Sequence, residues 1–176
     1  MKATSPLPLR VEPARPADMA AIGRLGAMLV RLHHDFDPER FISPDSATPQ
    51  GYADYLLGEL ERPDVVILAA HSGDAVIGYV YAAMEGTDYM SLRGPAGVIH
   101  DLMVDPAHRG QGAGWRLLDA VLAKFRTRRA PRIVLSTAYR NERARAFFEK
   151  AGFRPSMVEM TREADESAPR TGDSRS

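Results

Sequence analysis

The chain has 176 residues, with 23 Lys/Arg against 23 Asp/Glu and no cysteine, a length that suits one domain of roughly 100–200 residues. Without cysteine there is no disulfide framework and no thiolate zinc or iron–sulfur centre, and the five histidines fall at no metal-ligand spacing, so no metal is expected. No apolar run approaches the roughly 20 residues that span a bilayer, and the first residues contain no signal-type stretch, so the expectation is a cytoplasmic protein with no membrane partner.

The neutral total conceals an asymmetry. Residues 1–104 carry 8 basic and 14 acidic side chains, a balance of −6, whereas residues 105–150 carry 11 and 4, a balance of +7. Such a division suits a protein that handles one cationic and one anionic ligand. The basic run Lys124, Arg126, Arg128, Arg129 and Arg132 has only Phe125 interleaved and matches no nucleic-acid motif. It reads as a solvated helix end, and no nucleic-acid partner is expected.

In chain order, residues 1–8 and 164–176 are rich in Ser, Pro and charge and are expected to be disordered, which leaves one domain over 9–163. Residues 9–14 predict a short strand. Asp18 is placed to cap a helix whose apolar positions Ile22, Leu25, Leu29, Leu32 and Phe36 recur at steps of three and four, although Gly23 and Gly26 are unfavourable inside it. Thr48-Pro49 signals a second helix start, with Tyr52, Leu56 and Leu60 on one face and Pro63 as its stop. Residues 65–70 and 75–83 are β-rich runs separated by His71-Ser-Gly-Asp74, an antiparallel hairpin. Residues 98–104 predict a strand with Val98, His100, Leu102 and Val104 on one face and Ile99, Asp101 and Met103 on the other. A third helix carries Leu117, Leu118, Val121, Leu122 and Phe125 inward. A strand over 132–137, a helix over 141–151 closed by Gly152, and a last strand over 157–161 complete the pattern. The alternation of strand and helix periods marks an α/β domain.

The chemistry concentrates in Asp105-Pro-Ala-His-Arg-Gly-Gln-Gly-Ala-Gly114, between a strand and an amphipathic helix. Glycines permit a tight turn with amides facing outward, and the helix start adds unsatisfied N–H groups and partial positive charge, which suits a phosphate. It is not a Walker loop, since no Lys follows Gly114. Nor is it the dinucleotide fingerprint, since Trp115 stands where a glycine would be needed. Arg109-x-x-Gly112-x-Gly114 resembles the (R/Q)xxGx(G/A) motif of the GNAT superfamily of acyl-CoA-dependent N-acyltransferases. Leu102-Met-Val104 is similar to the end of that family's fourth strand, and Asn141-x-x-Ala-x-x-Phe147-Phe148-x-x-x-Gly152-Phe153 to its second signature segment. The resemblance covers residues 96–154.

The resemblance implies a GNAT-like mixed, mostly antiparallel sheet of about six or seven strands with helices on both faces. It implies that Arg109, Gly110, Gln111, Gly112, Ala113, Gly114 and Trp115 hold the pyrophosphate of acetyl-CoA, the acyl donor. The backbone of Leu102, Met103 and Val104 would pair with the pantetheine arm as an added strand. Asn141 would meet that arm from the opposite side, or serve as a helix cap, or both. Phe148 lines the cofactor site at a position where many members have a tyrosine that protonates the departing thiolate. Tyr139 is the substitute candidate for that role. A histidine or carboxylate on the fourth strand serves as base in some members, which makes His100 the first candidate here and Asp101 the second, the latter requiring a bulge to re-aim it. The Leu102 amide is the candidate oxyanion donor. Asp35 and Asp37 fall where the family's substrate-facing loop begins and are candidates to recognise a cationic amine.

The function expected is acetyl transfer from acetyl-CoA to a primary amine by direct attack in a ternary complex. No cysteine exists to carry a covalent acyl group, and no GxSxG elbow exists for a serine route. The alternative is a non-catalytic acyl-CoA-binding or sensor module. The family often dimerises, and the apolar Met157-Val-Glu-Met160 segment is available to a homodimer.

Overall fold

The predicted hairpin forms the middle of the sheet: β2 (Val65–Ser72) and β3 (Ala75–Glu85) pair antiparallel about the turn at Gly73. β1 (Leu9–Pro13) adds to the free side of β2, and β4 (Ala96–Val104) to the free side of β3, both antiparallel. β5 (Ile133–Leu135) lies parallel to β4, which gives a mixed five-stranded sheet in the order β1-β2-β3-β4-β5. The computed structural model describes residues 8–164. Apart from residues 8 and 164, the two ends expected to be disordered lie outside the described residues.

Helices cover both faces, which is why β2 reads as an unbroken apolar run rather than an alternating one. α3 (Ala113–Thr127) buries Leu117, Leu118, Val121 and Phe125 against Val66, Leu68, Val80, Ala82 and Ile99. Glycine is required at 97 for this approach, because a Cβ there would lie 2.7 Å from the Phe125 ring. α4 (Glu142–Lys150) adds Phe147 and Phe148 to the edge of the same cluster. On the other face, α1 (Met19–Phe36) and α2 (Thr48–Glu59) pack Ile22, Leu25 and Leu56 against Ile67, Ala69, Tyr79 and Tyr81. The glycines that seemed unfavourable in α1 are its contact with α2: a side chain at Gly23 would collide with the Pro49 carbonyl, and one at Gly26 with the Tyr52 ring. Arg128, in the basic run, donates to the Asp64 and Val65 carbonyls and so clamps the start of β2.

Three expectations are corrected. The sheet has five strands, not six or seven, because residues 157–161 form no strand among the described residues. Met157, Val158 and Met160 are 70%, 65% and 86% exposed. β5 is only three residues long and offers them little edge to pair with. Their described tie is the two-pronged ion pair of Glu159 with Arg40. Asp18 makes no side-chain cap on α1. Its carboxylate turns back to accept from the Arg15 amide at 2.8 Å, closing a one-turn 3-10 helix, Pro16–Asp18, ahead of α1. The regular alternation expected along β4 is broken by a bulge, since Tyr81 pairs with Asp101 but Ala82 with Ile99.

The glycine contact gives a paired test. Gly26→Ala should destabilise the fold by about 1–3 kcal/mol through overpacking, more than its gain of about 1 kcal/mol in helix propensity. Gly51→Ala, at an exposed α2 position with nothing within 4 Å of the added carbon, should stabilise by up to about 1 kcal/mol. Urea unfolding midpoints of the two variants should move in opposite directions.

Candidate active site

β4 and β5 pair only through Gly97–Ile133, Val98–Val134 and Ile99–Leu135. Beyond Ile99 the strands separate, β4 running on to Val104 while the chain after Leu135 turns toward α4. The gap is a cleft of about 230 Å³, walled by Leu102 on one side, by Ser136, Thr137, Asn141 and Phe148 on the other, and by α1 and α2 on its floor. The direction of β4's free backbone groups follows from one bond. The Asp105 amide donates to the Ile77 carbonyl at 2.9 Å, so the amides of residues 101 and 103 also face β3 and those of Leu102 and Val104 face the opening. Met103 is therefore turned away from the cleft. A Cβ on Gly78 would lie 2.8 Å from the Met103 carbonyl, and its side chain is buried against α1.

At the mouth, Gly110 and Gly112 hold φ of 79° and 85°, the left-handed region that favours glycine, and nothing lies within 4 Å of a Cβ built on either. Gly112 starts α3 with no side-chain cap. The first helical amide with a partner is that of Arg116, bonded to Gly112 at 3.0 Å, so the amides of residues 111–115 have no protein acceptor among the described residues. Together with the helix dipole they form an anion site. Arg109 is held there by its Nε, which donates to the Val104 carbonyl at 3.1 Å. Burial lowers its pKa, and the nearby Arg143 charge adds to this, so the guanidinium is a poorly solvated cation that an anion would relieve. Trp115 packs on Phe147, ring centroids 4.7 Å apart.

At the other end of the cleft the bulge decides which side chains point where. His100 is the extra residue, so Ile99, Leu102 and Val104 face α3 while Asp101 and Met103 face α1 and α2. His100 is thus not on the face of Leu102 as the ideal strand predicts. It stacks on Tyr81, centroids 4.9 Å apart, with Nε2 at 2.9 Å from Glu85, whose other oxygen holds Arg93 at 2.6 Å. Asp101 Oδ2 accepts from the Tyr52 hydroxyl and, at 3.1 Å, from the Tyr79 hydroxyl. Its Oδ1 has no described protein partner, is not closed off from solvent, and belongs to a residue lining the cleft. Burial holds the Asp101 pKa above the usual carboxylate range; the two phenols and the neighbouring His100 and His33 pull it only part of the way back. Burial also raises both Tyr52 and Tyr79, with the Asp101 charge adding to it, so both remain neutral donors.

Of the other candidates, Asn141 and Phe148 line the cleft, and Asn141 Oδ1 also caps α4 by accepting from the Ala144 amide at 3.1 Å. Tyr139 does not line it. Its ring is 77% exposed beneath the Arg145 guanidinium, 5.1 Å away. Asp35 lies in a separate shallow depression beside Arg109, and Asp37 accepts from the Arg40 amide in the loop after α1. Of the run His33-His-Asp-Phe-Asp37 at the end of α1, which the sequence offers as a recogniser of a cationic amine, only His33 lines this cleft; Tyr52 and Tyr79 carry no site signal in the sequence. Tyr52 reads from its spacing as a core position of α2, and only the tertiary contact of α2 with β4 makes it a partner of Asp101.

The candidate site thus combines a helix start with unsatisfied amides just past the end of β4 and a buried carboxylate in the cleft where β4 and β5 part. The chain belongs to the acetyltransferase (GNAT) family, whose model matches residues 28–153. It is 27% identical over 147 residues, 82% of this chain and 89% of the relative, to a Bacillus subtilis (strain 168) protein described as an uncharacterized N-acetyltransferase, YhfO. Among solved structures it is similar to a tetramutant of the Bacillus halodurans BH1408 protein, with TM-score 0.73, 20% identity, and 88% of this chain and 99% of that one covered. It is also similar to a predicted acetyltransferase with acetyl-CoA from Clostridium acetobutylicum, with TM-score 0.68, 18% identity, and 88% and 96% covered. Among the described residues no group of three potential ligands could hold a metal, and no helix is long and apolar enough to cross a membrane.

The raised Asp101 pKa has a sign that stability can read. Between the ordinary carboxylate value of about 3.9 and its raised value, the native state binds more protons than the unfolded chain, so stability falls as pH rises through that window. Asp101→Asn keeps an acceptor for the phenols and removes the buried charge. It should raise the thermal midpoint at pH 7, and the gain should vanish below about pH 4. A loss at pH 7 would mean that the phenol bonds outweigh the burial.

Proposed function

We propose that the protein transfers the acetyl group of acetyl-CoA to a primary amine by direct attack in a ternary complex. The observation that carries this reading is the order of features along β4: the cleft beside Asp101 and Leu102, and, just past Val104, the loop whose amides at 111–115 have no protein acceptor among the described residues. The donor's pyrophosphate fits the amide cluster, and its amide-bearing arm fits the outward backbone groups of Leu102 and Val104, the Val104 carbonyl being shared with Arg109. Asp101 Oδ1 takes a proton from the amine, a task for which an elevated carboxylate pKa is suited. The amine nitrogen bonds to the thioester carbonyl carbon, the Leu102 amide donates to the developing oxyanion, and the carbon–sulfur bond breaks as the carbonyl re-forms. The second proton that the nitrogen sheds on becoming an amide passes through water to the thiolate, since the cleft offers it Phe148 and Tyr139 is turned outward.

His100, the first candidate from sequence, becomes the second here because its Nε2 is engaged by Glu85. Asp101→Asn should lower kcat by roughly 100-fold or more and His100→Ala by less. The reverse order would move the base to His100. Gly112→Asp should weaken acetyl-CoA binding at least about tenfold in calorimetry with circular dichroism unchanged, since it sets a side chain and a negative charge against the phosphate. The absence of a phenol on the thiolate side is what favours a non-catalytic acyl-CoA sensor. Tight acetyl-CoA binding without thiol release across an amine panel would establish that alternative.

A further inference from the structure

Resting on that transfer reading, we infer that the acceptor is a primary amine on an apolar body with a single positive charge, an alkyl- or arylalkylamine rather than a polyamine or an aminoglycoside. The acceptor half of the cleft is formed by Leu29, Val30, Phe41 and Ile42, together with His33 and Asp101. Ile42 is 75% exposed at this rim, an apolar side chain that an acceptor would cover.

The wall is preorganised. His34 Nδ1 donates to the Phe41 carbonyl at 3.0 Å, the Phe41 amide donates to the Asp37 carbonyl at 3.0 Å, and His33 meets Phe41 edge-on at 5.1 Å. Arg40 is anchored to Glu159 beside it, and Arg140 reaches across from the far side to the Phe36 carbonyl at 2.8 Å. His33 Nδ1 faces the Leu29 carbonyl at 2.9 Å and must be the donor there, which leaves Nε2 as the ring nitrogen free of that bond. A primary ammonium therefore finds one carboxylate, Asp101, beside the imidazoles of His33 and His100.

A second ammonium finds no second carboxylate in the cleft. Asp101 is the only carboxylate among the cleft-lining residues. Glu85 is held by His100 and Arg93, Glu59 by Tyr81 and Arg62, Asp37 faces the Arg40 amide, and Asp35 opens beside Arg109. A dication would leave one charge desolvated against Phe41 and Ile42, whereas an apolar tail gains from the same surface.

The test is a matched pair, hexylamine and 1,6-diaminohexane, with phenethylamine and spermidine at either extreme. Turnover is read as thiol release from acetyl-CoA, and binding to the coenzyme A complex by calorimetry. The expected result is a kcat/KM for hexylamine roughly tenfold or more above that for the diamine, the same order in binding, and a ratio that shrinks severalfold in Ile42→Asp. Ile42 is a surface position, so that variant should fold. A diamine or spermidine that equals or exceeds hexylamine, or a ratio that ignores Ile42→Asp, overturns the inference, as does failure of every amine to bind. Selective binding of hexylamine without turnover would sustain this inference while removing the transfer reading.

Discussion

The site depends on β4 and β5 ceasing to pair after Ile99. A parallel pair that continued would consume the backbone groups of Leu102 and Val104 and close the cleft. By separating, the strands leave a stretch of β4 bonded on one side only, an internal edge open to an extended ligand. Such an edge is a liability on a sheet's outer margin. Here it is flanked by α1, α2 and α4, so that a slender ligand can reach it and another sheet cannot.

Two local irregularities turn this edge into a site with chemistry. The bulge at His100 moves Asp101 onto the face of α2, where burial would make a lone carboxylate costly, and Tyr52 and Tyr79 supply the hydrogen bonds that retain it. Tyr52 can reach Asp101 because Gly26 leaves room for its ring against α1. A glycine in one helix, a tyrosine in the next and an extra residue in a strand therefore act as one unit, and all three precede the glycine motif at 109–114.

That division explains what the sequence disclosed. The hairpin, the third helix and the segment 109–114 were legible because each is a local pattern: period two, period three to four, and glycines at fixed offsets before a helix. The bulge left no such mark. Residues 98–104 alternate as well in a regular strand as in a bulged one, and only pairing with Tyr81 and Ala82 decides between them. The same limit applies to Asp18, which has the residue type of a cap but bonds backward to Arg15, and to the segment after Gly152, whose apolar residues find no strand edge. The charge asymmetry was real, but its acidic members are mostly engaged by the protein itself. Glu59 and Asp64 hold Arg62, Glu85 holds Arg93, and Asp101 is the one that faces the cleft.

The burial that weakens the fold around the Asp101 charge also raises that carboxylate's affinity for a proton. A fully solvated carboxylate, near pKa 3.9, is a feeble acceptor for the proton of an amine near 10.4. Desolvation narrows that gap, and the hydrogen bonds from Tyr52 and Tyr79 oppose part of the rise. Both phenols act on Oδ2, which leaves Oδ1 as the oxygen without a described protein partner. An apolar acceptor wall is consistent with this balance: polar or charged side chains in place of Phe41 and Ile42 would admit water or counter-charge to Asp101 and return its affinity for protons toward the solvated value.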